Sequence, residues 1–216
     1  LSPVAEILGL SCGVVEHLQR SGDINGLLHE LHMIQEIHSQ GKAILFGHSW
    51  GAWLGIIYAS AFPDKVKKLI LSGCPPFDEI FVEVILNTRL SRLSTGERME
   101  MKAIMKGLNS DHPEERNMAF RGLGKLTEKA DTFKPLRFEE PAIFYDHNLY
   151  VSLWKEASRL RKNAKFAGMI RRISCPVRAI HGDYDPHPAE NVSRYFKLHH
   201  TDFRMTILGH CGHEPW

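Results

Sequence analysis

Nowhere does an apolar run approach the roughly 18 residues that a membrane-spanning helix requires, so the sequence is read as having no membrane span. Cysteine is scarce: the four, at 12, 74, 175 and 211, lack the close spacing of a zinc knuckle or a redox dithiol. They are expected to be free and mostly buried thiols in a reducing compartment, which points to the cytoplasm. The sequence starts at Leu1 rather than Met, so a preceding leader stays open. No large excess of either charge is present, the formal net charge being only +2. The densest basic groups, Lys65-Val66-Lys67-Lys68 and Arg159 to Lys165, read as solvated ends of elements. Without a basic stripe interleaved with aromatics, nucleic acid is excluded as a partner. Internal repeats and low-complexity tracts are also missing.

What is present suits a water-exposed globular fold. Apolar residues make up 43% and charged residues 24%, enough for a core that needs neither disulfide nor metal. Leu1 to Leu10 looks helical, and Gly13 to Leu18 reads as a short strand. From Ile24 to Ser39, Leu27, Leu28, Leu31, Ile34 and Ile37 recur at helical spacing, and Gln40-Gly41 ends that helix. Ala43-Ile44-Leu45-Phe46 is a short apolar run suited to a buried parallel strand, Ala52 to Phe62 a buried helix, and Val66 to Ser72 another strand. Alternation of this kind implies a parallel sheet with crossover helices.

After Cys74-Pro75-Pro76 the composition turns helical and amphipathic as far as about Arg172. Helices are expected over 78–93, 95–109, 113–126 and 148–162. Strand character returns at Val177-Arg178-Ala179-Ile180 and at Phe203 to Leu208, with a helix over 189–196 between them. The organisation expected is an α/β core over 1–73 and 174–216, interrupted by a helical cap over 74–173.

Gly47-His48-Ser49-Trp50-Gly51 lies between the strand ending at Phe46 and the helix starting at Ala52. That context gives G-x-S-x-G its meaning: a sharp turn holds the serine strained at the tip, at the edge where open α/β sheets bind ligands. Gly47 and Gly51 are expected to let strand and helix pack closely, and the backbone N–H of Trp50 to face a developing oxyanion. The blander role for Ser49 is an ordinary helix N-cap. A serine needs a base oriented by an acid. The late segments His181-Gly182-Asp183-Tyr184-Asp185-Pro186-His187-Pro188 and Gly209-His210-Cys211-Gly212-His213-Glu214-Pro215-Trp216 supply both, each after a strand. The acid is Asp185 or Asp183, the base His213 or His210. A metal site built from His181, Asp183, Asp185, His187, His210, Cys211 and His213 would leave the serine elbow unexplained. No metal or cofactor is therefore expected.

The segments G-H-S-W-G, H-G-D-Y-D-P-H-P and C-G-H-E-P-W resemble the α/β-hydrolase superfamily in its serine-nucleophile branch, over roughly residues 13–73 and 174–216. The resemblance implies a mostly parallel α/β sheet and a triad of Ser49, Asp185 and His213. Asp183 becomes a turn residue and His48 a packing position. It also implies an ester or amide hydrolase acting on a small molecule or short peptide; oligomeric state stays open. A receptor on the same fold, or a hydrolase of carbon–carbon bonds, is the alternative. Aspartate-nucleophile dehalogenases and epoxide hydrolases are disfavoured by Ser49. The segments from Thr88 to Arg98 and Trp154-Lys155-Glu156 look similar to caps of the prolyl-iminopeptidase-like group, which would make Glu139 or Glu140 a receiver for a substrate amine. The first strands with their oxyanion loop, and the last helix, are not found, so a truncated chain is expected, with the second oxyanion donor outside it.

Overall fold

Parallel strands covered on both faces must be apolar along their length, and four such runs pair here. In the computed structural model, which describes residues 2–39, 41–134 and 147–216, they are β1 (Ala43–His48), β2 (Val66–Ser72), β3 (Val177–Gly182) and β4 (Phe203–Leu208). The sheet order is β1-β2-β3-β4 and every pairing is parallel, with Leu45 opposite Leu69, Leu71 opposite Ala179 and Ala179 opposite Met205. α3 (Trp50–Ala61) joins β1 to β2 and α9 (Ala189–His199) joins β3 to β4. α3 is buried from Ala52 to Ser60, as an all-round apolar helix must be. Its Trp53 and Tyr58 meet Leu69, Leu71, Val177 and Phe196 in the main core.

Two helices precede the sheet, α1 (Ser2–Gly9) and α2 (Ile24–His38). Asp23 caps α2, its carboxylate accepting from the Gly26 N–H at 2.8 Å. The expected strand over Gly13–Leu18 does not form: those residues are irregular coil. A strand needs a neighbour to satisfy its backbone, and among the described residues β1 pairs only with β2. Val15 and Leu18 are 51% and 72% exposed. The segment is held instead by α2, through His17 Nε2 to Glu30 Oε2 at 2.7 Å and the Ser21 hydroxyl donating to Glu30 at 2.5 Å.

Between β2 and β3 run α4 (Phe81–Arg92), α5 (Thr95–Gly107), α6 (Pro113–Asp131), α7 (His147–Lys162) and α8 (Lys165–Arg172). Ser94 and Glu97 form a capping box at α5, and Pro113 opens α6 where its missing N–H costs nothing. Leu93, Met101, Leu126 and Ala130 make a small core of their own. Phe166 and Ile170 of α8 belong to the main core, as does Ala157 of α7. The helical block is fastened to the sheet side by Trp53 stacked on Trp154, with centroids 6.2 Å apart and planes at 4°. Asp78 adds a polar fastening, accepting from Asn191 at 2.6 Å and from the Tyr195 hydroxyl at 2.5 Å. Glu139 and Glu140 lie outside the described residues. No helix among the described residues is long and apolar enough to cross a membrane. All four cysteines are free, with Cys74 and Cys175 buried, Cys211 half-buried and Cys12 exposed.

Candidate active site

β1 ends at His48, and the chain reverses into α3 at Ser49 with φ 52° and ψ −120°. A non-glycine residue at positive φ costs roughly 1–3 kcal/mol and persists only where its surroundings impose it. The imposition is visible at Gly47: a Cβ there would lie 2.2 Å from the Gly51 carbonyl oxygen and 2.8 Å from the Ala52 nitrogen. The expectation that Gly51 also makes room is corrected, because a Cβ at Gly51 would meet nothing within 4 Å. The Ser49 N–H donates to the Ser72 carbonyl at 2.9 Å, fastening the turn to the end of β2. Ser49 occupies the N-cap position of α3, but its side chain makes no capping hydrogen bond. The ordinary N-cap role therefore does not describe it. Trp50 is the first residue of α3, so its N–H is one of the amides without an intrahelical acceptor.

Asp185 and His213 come together across two strand-end loops. Asp185 Oδ2 stands 2.8 Å from His213 Nδ1, and the Asp185 side chain is wholly shielded from solvent. Burial alone would raise its pKa, but hydrogen bonds from His187 and His213 outweigh it and hold the carboxyl well below the usual carboxylate range. With Nδ1–H directed at Asp185, the neutral His213 ring keeps its lone pair on Nε2. His187, named in the sequence only as a possible metal ligand, donates its ring Nδ1–H to Asp185 Oδ1 at 2.7 Å and its backbone N–H to the same oxygen at 2.9 Å. His181 Nε2 lies 2.7 Å from the His187 carbonyl and 3.3 Å from Asp185 Oδ2.

The two rival residues fall elsewhere. Asp183 accepts the Cys211 N–H at 3.2 Å, and backbone donors from His210 and Cys211 lower its pKa. It ties one loop to the other. His210 sits at φ 54° with its ring against Phe133, 5.3 Å between centroids. His48 packs its ring 4.7 Å from those of His213 and Trp216, and burial, followed by the His213 charge, pushes its pKa down to about 3.

Asp185, His187 and His213 offer three donor atoms within 4.8 Å of one another, the arrangement a metal would want. Both ring Nδ1 atoms, however, are already directed at the carboxylate between them. A hollow between α9 and β4, lined by Ala189, Arg194, Leu198 and Ile207 among others, includes none of the candidate residues.

One contact had no sequence signal. The end of α6 crosses the histidine loop so closely that a Cβ on Gly212 would lie 2.2 Å from the Asp131 carbonyl oxygen. That carbonyl accepts the His213 N–H at 2.9 Å. The buried Asp131 carboxylate is held bidentately by Arg89, Nε at 2.8 Å and Nη2 at 2.6 Å. Arg92 donates to the Ala130 carbonyl at 2.9 Å and lies 3.6 Å over the Tyr184 ring.

A parallel sheet with a strained serine turn at one strand end and an Asp–His pair at two others is the layout of an α/β hydrolase fold. Residues 22–215 match the alpha/beta hydrolase fold family, and the chain belongs to it. It is similar to a proline iminopeptidase of Neisseria gonorrhoeae, 38% identical over an alignment covering 88% of this chain and 67% of that one. A Neisseria meningitidis proline iminopeptidase is 34% identical over 59 residues, 26% of this chain and 19% of its own length. Among solved structures, VinJ superposes with a TM-score of 0.57 at 17% identity, covering 89% of this chain and 66% of its own. Proline iminopeptidase from Mycobacterium smegmatis gives 0.54 at 16% identity, covering 97% and 77%. At such identities the superpositions show the fold alone. The chain thus spans less than two thirds of the N. meningitidis relative and of VinJ.

Proposed function

We propose that the protein is a serine hydrolase that cleaves an ester or amide through an acyl-enzyme, with Ser49 as nucleophile, His213 as base and Asp185 as the orienting acid. The observation that carries this reading is the 2.8 Å bond from His213 Nδ1 to the fully buried Asp185 carboxylate, in a sheet whose β1 ends in a positive-φ serine with a side chain that does not cap its helix. Ser49 Oγ attacks the acyl carbon and passes its proton to His213 Nε2, while Asp185 stabilises the imidazolium. The Trp50 N–H, at the positive end of α3, donates to the oxyanion. His213 then gives the proton to the departing alkoxide or amine. Water, activated by the same imidazole, releases the acid and restores Ser49.

With the likeness to the N. gonorrhoeae proline iminopeptidase in support, we infer that the substrate is a short peptide or arylamide with N-terminal proline, held under helices α4 to α7. Free thiols fit a reducing compartment such as the cytoplasm. A fluorophosphonate probe should label the protein at Ser49, and prolyl arylamide should be turned over faster than simple aryl esters. Ser49→Ala should abolish labelling and lower kcat by at least about 10⁴-fold with folding retained. Turnover persisting in that variant overturns the reading. Labelling without turnover on any ester, amide or arylamide would point to a ligand receptor on the same fold.

A further inference from the structure

We propose that His187 is a positioning residue for the Asp185–His213 pair, acting through Asp185 rather than on substrate. The inference rests on the serine-hydrolase reading above and concerns how its acid is held. A carboxylate shut away from water must have its lone pairs met by protein donors. His187 supplies two to one oxygen: its backbone N–H at 2.9 Å and its ring Nδ1–H at 2.7 Å both reach Asp185 Oδ1. Two donors from different directions fix the rotation of the carboxylate about its Cβ–Cγ bond. The other oxygen, Oδ2, is thereby left facing His213 Nδ1 at 2.8 Å.

The clamp is itself braced. Pro186 and Pro188 flank His187 and restrict the backbone on both sides. The fully buried His181 ring lies 2.7 Å from the His187 carbonyl and donates to it through Nε2. The His187 ring also rests against the His213 ring, with centroids 4.5 Å apart and planes at 36°, so one side chain limits both the carboxylate and the base. Burial lowers the His187 pKa to about 4, which keeps the ring neutral near pH 7 with its single N–H on the carboxylate. A neutral donor suits the task, since a second fixed cation beside His213 would oppose the imidazolium formed during catalysis.

The alternative is that His187 merely fills space. His187→Asn and His187→Gln separate the two, because the Asn amide reaches the position of Nδ1 whereas that of Gln reaches the position of Nε2. Turnover of the best substrate of the arylamide and ester panel is followed, with the low-field proton resonance of His213 Nδ1–H as the second readout. His187→Phe, similar in shape but lacking the donor, should lower kcat by roughly 10–100-fold, the scale of a small misplacement in an active site. Its KM should stay within about twofold, and the low-field signal should broaden or vanish. His187→Asn should recover kcat to within about threefold of the parent and keep the signal, while His187→Gln should behave like Phe.

A folded His187→Phe protein with parental kcat and an intact resonance overturns the proposal, as does an Asn variant as impaired as Phe. If the Phe variant fails to fold, the Asn and Gln pair decides alone. Ser49→Ala run in parallel keeps the two ideas apart. An active Ser49→Ala protein defeats the serine-hydrolase reading. An inactive one beside a fully active His187→Phe defeats only the role of His187.

Discussion

At Asp185 the neighbours decide which way an amide would point. Oδ1 accepts both donors from His187, so the oxygen of Asp185→Asn must take that place and its NH2 must face His213. Two donors would then oppose each other across 2.8 Å, and the imidazole can relieve this only by moving its proton to Nε2, where the proposed base needs a lone pair. Asp185→Asn should therefore lower kcat by about 10³–10⁴-fold. Asp183 accepts from the Cys211 N–H at 3.2 Å in an exposed turn, and an amide oxygen can do the same, so Asp183→Asn should stay within a few-fold of the parent. Steady-state rates on one substrate check both, and a reversed order of the two variants would move the acid. The residues alone left Asp185 and Asp183 both open, since both follow the same strand; the preference for Asp185 came from the family resemblance, and the structure adds its pairing with His213. The part played by Gly51 was misjudged because G-x-S-x-G is symmetric as text, whereas only the Cβ direction at Gly47 runs into the following helix.

Among the elements, α6 links the helical block to His213, the proposed base. Its last residue gives its carbonyl to the His213 N–H, and its carboxylate is clamped by Arg89 of α4. Arg89→Met would leave the buried Asp131 carboxylate unpaired, a defect worth about 3–5 kcal/mol where burial is complete and less here because Arg89 is partly exposed. The urea midpoint should fall and kcat with it, since the carbonyl that holds His213 is on the same residue. Adding Asp131→Asn should restore much of both by removing the stranded charge. Stability and rate unchanged in Arg89→Met would sever the link. Nothing in the sequence announced this contact: Arg89 falls in the cap-like segment Thr88–Arg98, but its partner Asp131 lies in a different helix and belongs to no motif. The helices of the block were legible from amphipathic composition, and the structure adds the capping box at Ser94–Glu97 and Pro113 at the start of α6. The lack of a strand over Gly13–Leu18 was not, because apolar β-branched residues favour extension but cannot supply the neighbouring strand that pairing requires.

For the molecule as a whole, burying neutral imidazoles beside the Asp185–His213 pair ties folding to pH. Burial, followed by the charge of His213, takes the His48 pKa down to about 3, and burial lowers that of His187 to about 4. In the unfolded chain both rings take up a proton near pH 6.5. Between that pH and their folded values the unfolded state therefore binds more protons, and stability must fall as pH falls. The contribution is complete above about pH 6.5 and is lost progressively down to about pH 4 for His187 and about pH 3 for His48. The limiting slope is about 1.4 kcal/mol per pH unit for each ring. Asp185, also held below its ordinary range, adds a loss of the same sign only below about pH 4, where the unfolded carboxyl is protonated. Urea midpoints measured at pH 7, 6, 5 and 4.5 should decline steeply over the lower half of this range, well before carboxylates titrate generally. His187→Asn, which removes one ionisable ring while keeping the donor to Asp185, should flatten the decline by up to about 1.4 kcal/mol per pH unit. A parental profile that is level from pH 7 to 4.5 would mean that these rings ionise freely in the folded protein and are not sealed from water beside Asp185 and His213.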